Sequence, residues 1–464
     1  MASTGRSGPP NILLIQADQH RADLLGGGHP KACTPALDRL AREGVRFRRA
    51  FTPIPLCAPS RTSLFTGQWP STHLTVVNHN TEAPHAVTPD APTFSRLLHD
   101  AGYTADYVGK WDVHPQLDPT HFGFDTYVPE AEYAKWRAAK GLPGAPKHGW
   151  FGGVDPGITP EQSRLAWGAD LIIERLRARA AGERPFLISW NPSEPHLPVV
   201  VPEPYASLVD PAELEPWPNF ADTLQGKPYM QRQHRRTWQL EGVPWRDFAP
   251  MVARYIGQVA LLDAQVGRIL AELDRLGLAR ETLVVYVSDH GDLTGSHGLI
   301  DKHYMMYDEV LRVPLILRWP GVLSAGLASD AFVSSGIDVC RTLVRAAGVE
   351  PAPTMCGQDL VAVATGAAAG RDDIFSMYFG NQFGLYSARM VRESRLKYVW
   401  NAVAEDELYD LASDPHELEN RAADPAYASD LARLRRRTVE WMQETGDRLL
   451  NEWTRRVLMD GLKG

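Results

Sequence analysis

Short apolar runs that stop at a polar residue recur along this chain, and stretches of helical period separate them. Asn11–Ala17 is the first such run and ends abruptly at Asp18, the pattern of a strand buried on both faces. "TPALDRLAREG" follows with apolar residues at helical spacing. Thr34 is the expected N-cap, Pro35 sits in the first turn, Leu37, Leu40 and Ala41 face inward, and Gly44 is the terminator. "FSRLLHDAG" then predicts a helix handing over to the strand "YTADYVGK". "PEQSRLAWGADLIIERLRARAAG" hands over to "PFLISW", and a long amphipathic helix over Phe248–Gly277 hands over to "TLVVYVSD". This alternation predicts an α/β fold with helices on both faces of the sheet.

The rhythm changes late. The last α/β unit ends near Val333–Gly348, and "ATGAAAG" has the composition of a flexible joint. "ARMVRESRLKYVWN" and "DELYDLASDPHEL" then predict a short antiparallel meander, closed by a helix over "ASDLARLRRRTVEWMQETGD". The expected division is a large domain over residues 1–365 and a C-terminal α+β subdomain over 366–464.

Composition narrows the function classes. A net charge of −8 is no match for nucleic acid or an anionic membrane, although 48 Lys and Arg residues leave room for a local basic pocket. No apolar run is long enough to span a bilayer, and the polar start "MASTGRSGPP" carries no signal-peptide pattern. With Met1 as the true start, the expected location is cytoplasmic. Cys33, Cys57, Cys340 and Cys356 are scattered without C-x-x-C spacing and are expected to be reduced thiols.

Ligands of open α/β sheets gather at the carboxyl ends of the strands. Polar residues arrive there from several predicted strands: Asp18-Gln19-His20, Lys110, His196 and Asp289-His290. Two strand ends that each offer an Asp and a further donor predict an oxygen-rich site for Ca²⁺ or Mg²⁺, and the imidazole leaves Mn²⁺ or Zn²⁺ open. In "PLCAPSRTSLFTG", Cys57 is placed at the N-terminus of a predicted helix with Pro59 in its first turn, where backbone N–H groups favour an anion. On these grounds alone Cys57 is either a nucleophile or a buried structural thiol.

Cys57-Ala58-Pro59-Ser60-Arg61, with Leu64, Phe65, Thr66 and Gly67, resembles the C-x-P-S-R signature of the type I sulfatases of the alkaline phosphatase superfamily. The resemblance runs from about Asn11 to Gly321, with a looser match beyond. It implies a large mixed, mostly parallel sheet sandwiched by helices, plus a small C-terminal subdomain with an antiparallel sheet. It implies that a formylglycine-generating enzyme converts Cys57 to formylglycine (3-oxoalanine), which hydrates to a geminal diol. One hydroxyl then attacks sulfur, and the other loses its proton and expels sulfate. The implied metal set is Asp18, Gln19, Cys57, Asp289 and His290 around one divalent ion, Ca²⁺ foremost, with Gln19 replacing a frequent second Asp.

"SEPHLP" and "GLIDKHYMMYDE" match the family's substrate histidine and lysine, here His196 and Lys302. In "YVGKWDVHP" Lys110 fits, but Asp112 stands where histidine is usual, with His114 as its expected replacement. The implied catalytic set is Cys57, Arg61, Lys110, His114, His196 and Lys302, with Asn78 and Asp112 binding substrate. Expected partners are a small-molecule or saccharide sulfate ester and the maturation enzyme; nucleic acid and membrane are not expected. The tail "NEWTRRVLMDGLKG" is read either as an arm exchanged in a homo-oligomer or as a free end. Loops over 130–157 and 203–246 are expected to set specificity. Rival readings are a phosphonate monoester or phosphodiester hydrolase with the same nucleophile, and a non-catalytic anion-binding relative.

Overall fold

The computed structural model describes residues 8–79, 85–380 and 385–461. The first seven residues of the polar start and the last three of the tail lie outside these. The strands are β1 (Asn11–Ala17), β2 (Val45–Phe51), β3 (Thr104–Gly109), β4 (Thr126–Pro129), β5 (Gly153–Val154), β6 (Phe186–Asn191) and β7 (Val200–Val201), followed by β8 (Thr282–Ser288), β9 (Leu315–Arg318), β10 (Leu327–Ser334), β11 (Ile374–Gly380), β12 (Tyr386–Arg392), β13 (Leu396–Asn401) and β14 (Glu407–Asp410). Eight of them form one sheet in the order β10-β2-β9-β8-β1-β6-β3-β4. Strand β9 is antiparallel to both neighbours, and the other described pairings in this sheet are parallel.

Period-two alternation divides the core. Ile12, Leu14, Leu187 and Val285 face a layer with Leu64, Phe65, Phe94, Leu98 and Leu343. Leu13, Ile15, Ile188 and Val284 face the opposite layer with Leu37, Leu40, Ile172, Leu261 and Ile269. The helices Cys57–Thr66, Phe94–Asp100 and Ser335–Ala346 therefore cover one face, and Pro35–Arg42, Arg164–Ala180 and Trp245–Arg275 cover the other. Each fully buried Leu or Ile contributes about 1.5–3 kcal/mol, so both faces must be covered for the sheet to persist.

Two local expectations are corrected. Thr34 sits at the N-cap of Pro35–Arg42, but its side chain makes no capping bond. The Asp263 carboxylate, on the long helix opposite, accepts instead from the N–H groups of Ala36 (3.0 Å) and Leu37 (2.8 Å). The long helix itself starts at Trp245 rather than Phe248.

The second sheet is antiparallel in the order β11-β12-β13-β14, with one strand more than the expected meander. Strand β11, "IFSMYFG", carries no clean alternation because it is buried along nearly its whole length. The closing helix Ala428–Glu444 lies over this sheet, with Trp441 stacked on Phe375 at 4.8 Å. Strand β11 also ties the sheet to the segment leading to Cys57: Met377 N donates to Pro53 O and Ser376 Oγ to Thr52 O, each at 2.9 Å.

Candidate active site

Strand register brings the two acidic strand ends together. Strands β1 and β8 are adjacent and parallel, with Ala17 paired to Ser288, so the next residues, Asp18 and Asp289, emerge side by side. On the other flank of β1 lie β6 and then β3, whose ends lead to His196 and Lys110. All four groups belong to the carboxyl edge of one sheet.

Cys57 opens the wholly buried helix Cys57–Thr66. Asn78 Oδ1 accepts from Ala58 N at 3.1 Å, so the residue expected at the substrate also caps this helix. Gly336 lets the neighbouring helix come close, since a Cβ there would stand 3.1 Å from Leu64 N. The Cys57 Sγ lies 3.3 Å from His290 Nε2 and 3.8 Å from Asp18 Oδ1. One helical turn on, Arg61 joins the two carboxylates: Nε donates to Asp289 Oδ2 at 2.9 Å and Nη2 to Asp18 Oδ2 at 3.3 Å.

Lysines flank the thiol. Lys110 Nζ lies 2.5 Å from Asp18 Oδ2 and 3.1 Å from Asp112 Oδ2. Burial pulls its ammonium down, but Asp18, Cys57 and Asp112 hold it well above the ordinary lysine range. Burial likewise opposes charge on Asp18, yet Lys110, His196, Arg61 and His290 hold its carboxyl well below the usual range. Burial and then Asp18 push the Cys57 thiol up, but Lys110, Lys302 and His290 outweigh them and leave it well below an ordinary thiol.

Lys302 Nζ meets His196 Nε2 at 2.5 Å, and His196 Nδ1 meets Leu197 O at 2.5 Å. An ammonium only donates, so Nε2 accepts, and the ring proton sits on Nδ1, donated to the carbonyl. The same reasoning applies to His290: Nδ1 faces Gly291 O at 2.9 Å and carries the proton, which leaves Nε2 as the donor atom toward Cys57 and the carboxylates.

A cavity of about 760 Å³ opens over these groups, lined among others by Cys57, Asn78, Lys110, Asp112, His196 and Lys302. Two expected residues are placed differently. The side-chain oxygen of Gln19, expected at the ion, accepts from Lys302 Nζ at 2.9 Å. Its amide nitrogen donates to Asp292 and, at 3.1 Å, to Asp301 Oδ1. The backbone explains this: Gln19 has φ 66°, which turns its side chain away from the line of the strand. His114 does not line the cavity. Its Nδ1 accepts from Gln116 N (3.1 Å) and Leu117 N (2.9 Å), closing the turn after β3.

Sequence reasoning missed His79, Asp301 and His303, which also line the cavity. His79 follows Asn78 directly and Asp301 and His303 flank Lys302, so proximity to named residues was the available signal. The wall also includes Trp150, Trp238 and Tyr378, the two tryptophans edge to face at 4.7 Å. Trp150 and Trp238 come from the two loops expected to set specificity. Trp69 and Trp111 are core residues, packed on Trp441 and Phe65 respectively.

The donor set suits a divalent cation. One ligand atom each from Asp18, Cys57, Asp289 and His290 lies within 4.8 Å of every other, and all four residues are buried. Two carboxylates and an imidazole with its far nitrogen already tied are ion-binding chemistry.

Residues 10–349 match the family model described as Sulfatase, and residues 295–444 match one described as N-sulphoglucosamine sulphohydrolase, C-terminal. The chain is 28% identical over 460 residues to the sulfatase YidJ of Escherichia coli (strain K12), covering 94% of this chain and 88% of that protein. It is 29% identical over 470 residues to the choline-sulfatase of Rhizobium meliloti (strain 1021), covering 96% of this chain and 90% of that one. Among solved structures, the phosphonate monoester hydrolase of Agrobacterium radiobacter matches with a TM-score of 0.81 and 26% identity, over 94% of this chain and 96% of that chain.

Proposed function

The chain belongs to the sulfatase family of sulfuric ester hydrolases, and we propose that it releases inorganic sulfate from an alcohol ester, with Cys57 carried as formylglycine. One observation carries this reading. Cys57 begins a buried helix, its side chain touches a carboxylate–imidazole cluster, and two lysines face it across an open cavity.

Asp18, Asp289 and His290 would hold one divalent ion, Ca²⁺ by preference for this oxygen-rich set. That ion and the hydrated aldehyde supply Lewis-acid charge stabilisation and a nucleophilic oxygen at Cys57. The chain's other groups do the rest. Arg61 bridges Asp18 and Asp289 and keeps the helix turn bearing Cys57 in register with both strand ends. Lys110 and Lys302, both largely buried at the floor of the cavity, neutralise the sulfate oxygens where low dielectric makes such charge most effective. His196, held by Lys302 at Nε2, is the group that passes a proton to the departing alcohol oxygen, a role contributing about 10²–10⁴-fold. Asp112 and His79, both in the cavity wall, replace His114 as the groups that accept the proton when sulfate leaves. The C-terminal sheet contributes Tyr378 and Gly380 to this wall, so residues 366–464 act as a subdomain that completes the cavity.

The likeness to a phosphonate monoester hydrolase favours a second activity, since sulfate and phosphonate esters present similar tetrahedral oxyanions. The test is the mass of the peptide containing Cys57, together with kcat/KM for p-nitrophenyl sulfate and p-nitrophenyl phenylphosphonate. Conversion at Cys57 with the sulfate preferred is the expected result. An unmodified thiol in active protein would overturn the nucleophile, and preference for the phosphonate would overturn the substrate.

A further inference from the structure

Lys302 stands on no regular element: it falls between the turn at Ser296–Gly298 and the short helix Asp308–Leu311. Both of its neighbours hold left-handed backbone, Asp301 at φ 69° and His303 at φ 95°, and neither is glycine. Residues with side chains keep that conformation only where their surroundings enforce it. Here the two side chains enforce it on each other. Asp301 Oδ2 accepts from His303 Nε2 at 2.9 Å, so the residues before and after Lys302 are joined across it. The main chain is pinned at the same point, where Asp301 O accepts from Leu293 N at 2.8 Å. Asp301 and His303 are 6% and 7% exposed, so the bond between them is shielded from water.

The same carboxylate reaches the ammonium. Lys302 Nζ offers donors and no acceptor, and three acceptors surround it: His196 Nε2 at 2.5 Å, Gln19 Oε1 at 2.9 Å and Asp301 Oδ1 at 3.4 Å. Asp301 Oδ1 also accepts from Gln19 Nε2 at 3.1 Å, which aims the other end of that amide at Lys302.

We infer that Asp301 and His303 are positioning residues for the hydrolysis: their side chains form a clasp that fixes the Lys302 ammonium against His196 and the sulfate. The inference rests on the sulfatase reading above. A lysine is a point charge on a flexible stem, and nothing in its own side chain selects one position. Closing the flanking residues onto each other fixes where the stem starts, and Asp301 with Gln19 fixes where it ends. Misplacing a reacting group by ~1 Å can cost about 10²-fold in rate, and loss of the clasp acts on the reaction only through Lys302.

The experiment is a double-mutant cycle on kcat/KM for p-nitrophenyl sulfate, each variant being made in wild type and in Lys302→Ala. His303→Gly can hold the left-handed backbone without strain but has no donor. It is expected to lose about 10–10²-fold in wild type and almost nothing in Lys302→Ala. His303→Gln, whose amide keeps an N–H donor, is expected to recover most of the loss. Asp301→Asn has one side-chain oxygen left to serve both Gln19 and His303, and it is expected to fall with His303→Gly. Equal losses in the two backgrounds would mean a merely structural role and overturn the inference, as would wild-type activity in His303→Gly. Competitive acetylation, read by mass spectrometry as Lys302 against Lys110, reports the clasp without turnover. Lys302 is expected to react severalfold faster in His303→Gly than in wild type, and an unchanged ratio overturns the clasp. Should wild type hydrolyse no ester, the sulfatase reading fails, and the acetylation ratio still decides whether this pair holds Lys302.

Discussion

Arg61→Met removes one buried positive charge from between two buried carboxylates while keeping most of the side-chain volume. The wild-type guanidinium has no exposed surface and bonds to Asp289 at 2.9 Å and to Asp18 at 3.3 Å. At an effective dielectric near 20, each contact at ~3 Å is worth roughly 5 kcal/mol of Coulomb energy, and the cost of desolvating the ions offsets much of it. Breaking a buried pair by removing one partner costs about 3–5 kcal/mol, and that is the loss expected for chelator-treated protein. A divalent ion between Asp18 and Asp289 supplies the same sign of charge, so saturating Ca²⁺ is expected to recover a large part of the loss. Arg61→Lys, which keeps the charge but not the fork, is expected to fall between the two. The assay is urea unfolding of all three proteins, with chelator and with excess Ca²⁺. A loss below about 1 kcal/mol with chelator would refute the electrostatic argument. A loss that Ca²⁺ leaves unchanged would refute ion binding between these strand ends.

Cys57→Ala is expected to abolish turnover with the thermal unfolding midpoint nearly unchanged; residual activity above a hundredth of wild type would remove Cys57 as nucleophile. Lys302→Ala is expected to lower kcat/KM about 10²–10³-fold, as removal of an oxyanion donor does. A change confined to KM would assign Lys302 to simple binding instead. Burial pushes the Asp263 carboxyl up from 3.8 to about 6, against the lowering by the Ala36 and Leu37 amides. An acid raised on folding stabilises most below its unfolded value, so the stability of wild type relative to Asp263→Asn is expected to fall by about 2–3 kcal/mol between pH 4 and 6 and stay level above. A flat difference between the two proteins across that range, measured by urea unfolding, would contradict this. Asp263→Ala at pH 7 is expected to cost about 1 kcal/mol through loss of the helix cap.

Local pattern was enough for the elements whose chemistry is local. The apolar run before Asp18, the run before Asp289 and the C-x-P-S-R stretch each announce their role within a few residues, because strand burial and helix starts depend on near neighbours. Matching family motifs likewise marked out Lys110, His196 and Lys302. What the sequence could not convey was direction. Gln19 adjoins Asp18 and His114 lies two residues from Asp112, yet one turns its amide to Lys302 and the other caps its own turn. A single backbone dihedral, such as φ 66° at Gln19, decides this, and no spacing rule encodes it.

Long-range partners were equally invisible. Asp263 lies 227 residues from the amide of Ala36 that it caps, and Thr34, the local candidate, does not cap that helix. Only packing of the long helix against Pro35–Arg42 puts the carboxylate there. Strand β11 escaped notice because burial on both faces erases alternation, and with it went the source of Tyr378 and Gly380 in the cavity wall. The cavity over Cys57 joins residues from Leu56 to Gly380, and it exists only because separate loops, helices and strands pack around one sheet edge. The sequence by itself thus determined the α/β alternation, which follows from local chemistry, and its motifs marked the candidate reacting groups through their likeness to a family signature. The tertiary structure alone decided which side chains gather at the carboxylate–imidazole cluster and which turn to the lysines, because that depends on groups hundreds of residues apart meeting at one sheet edge.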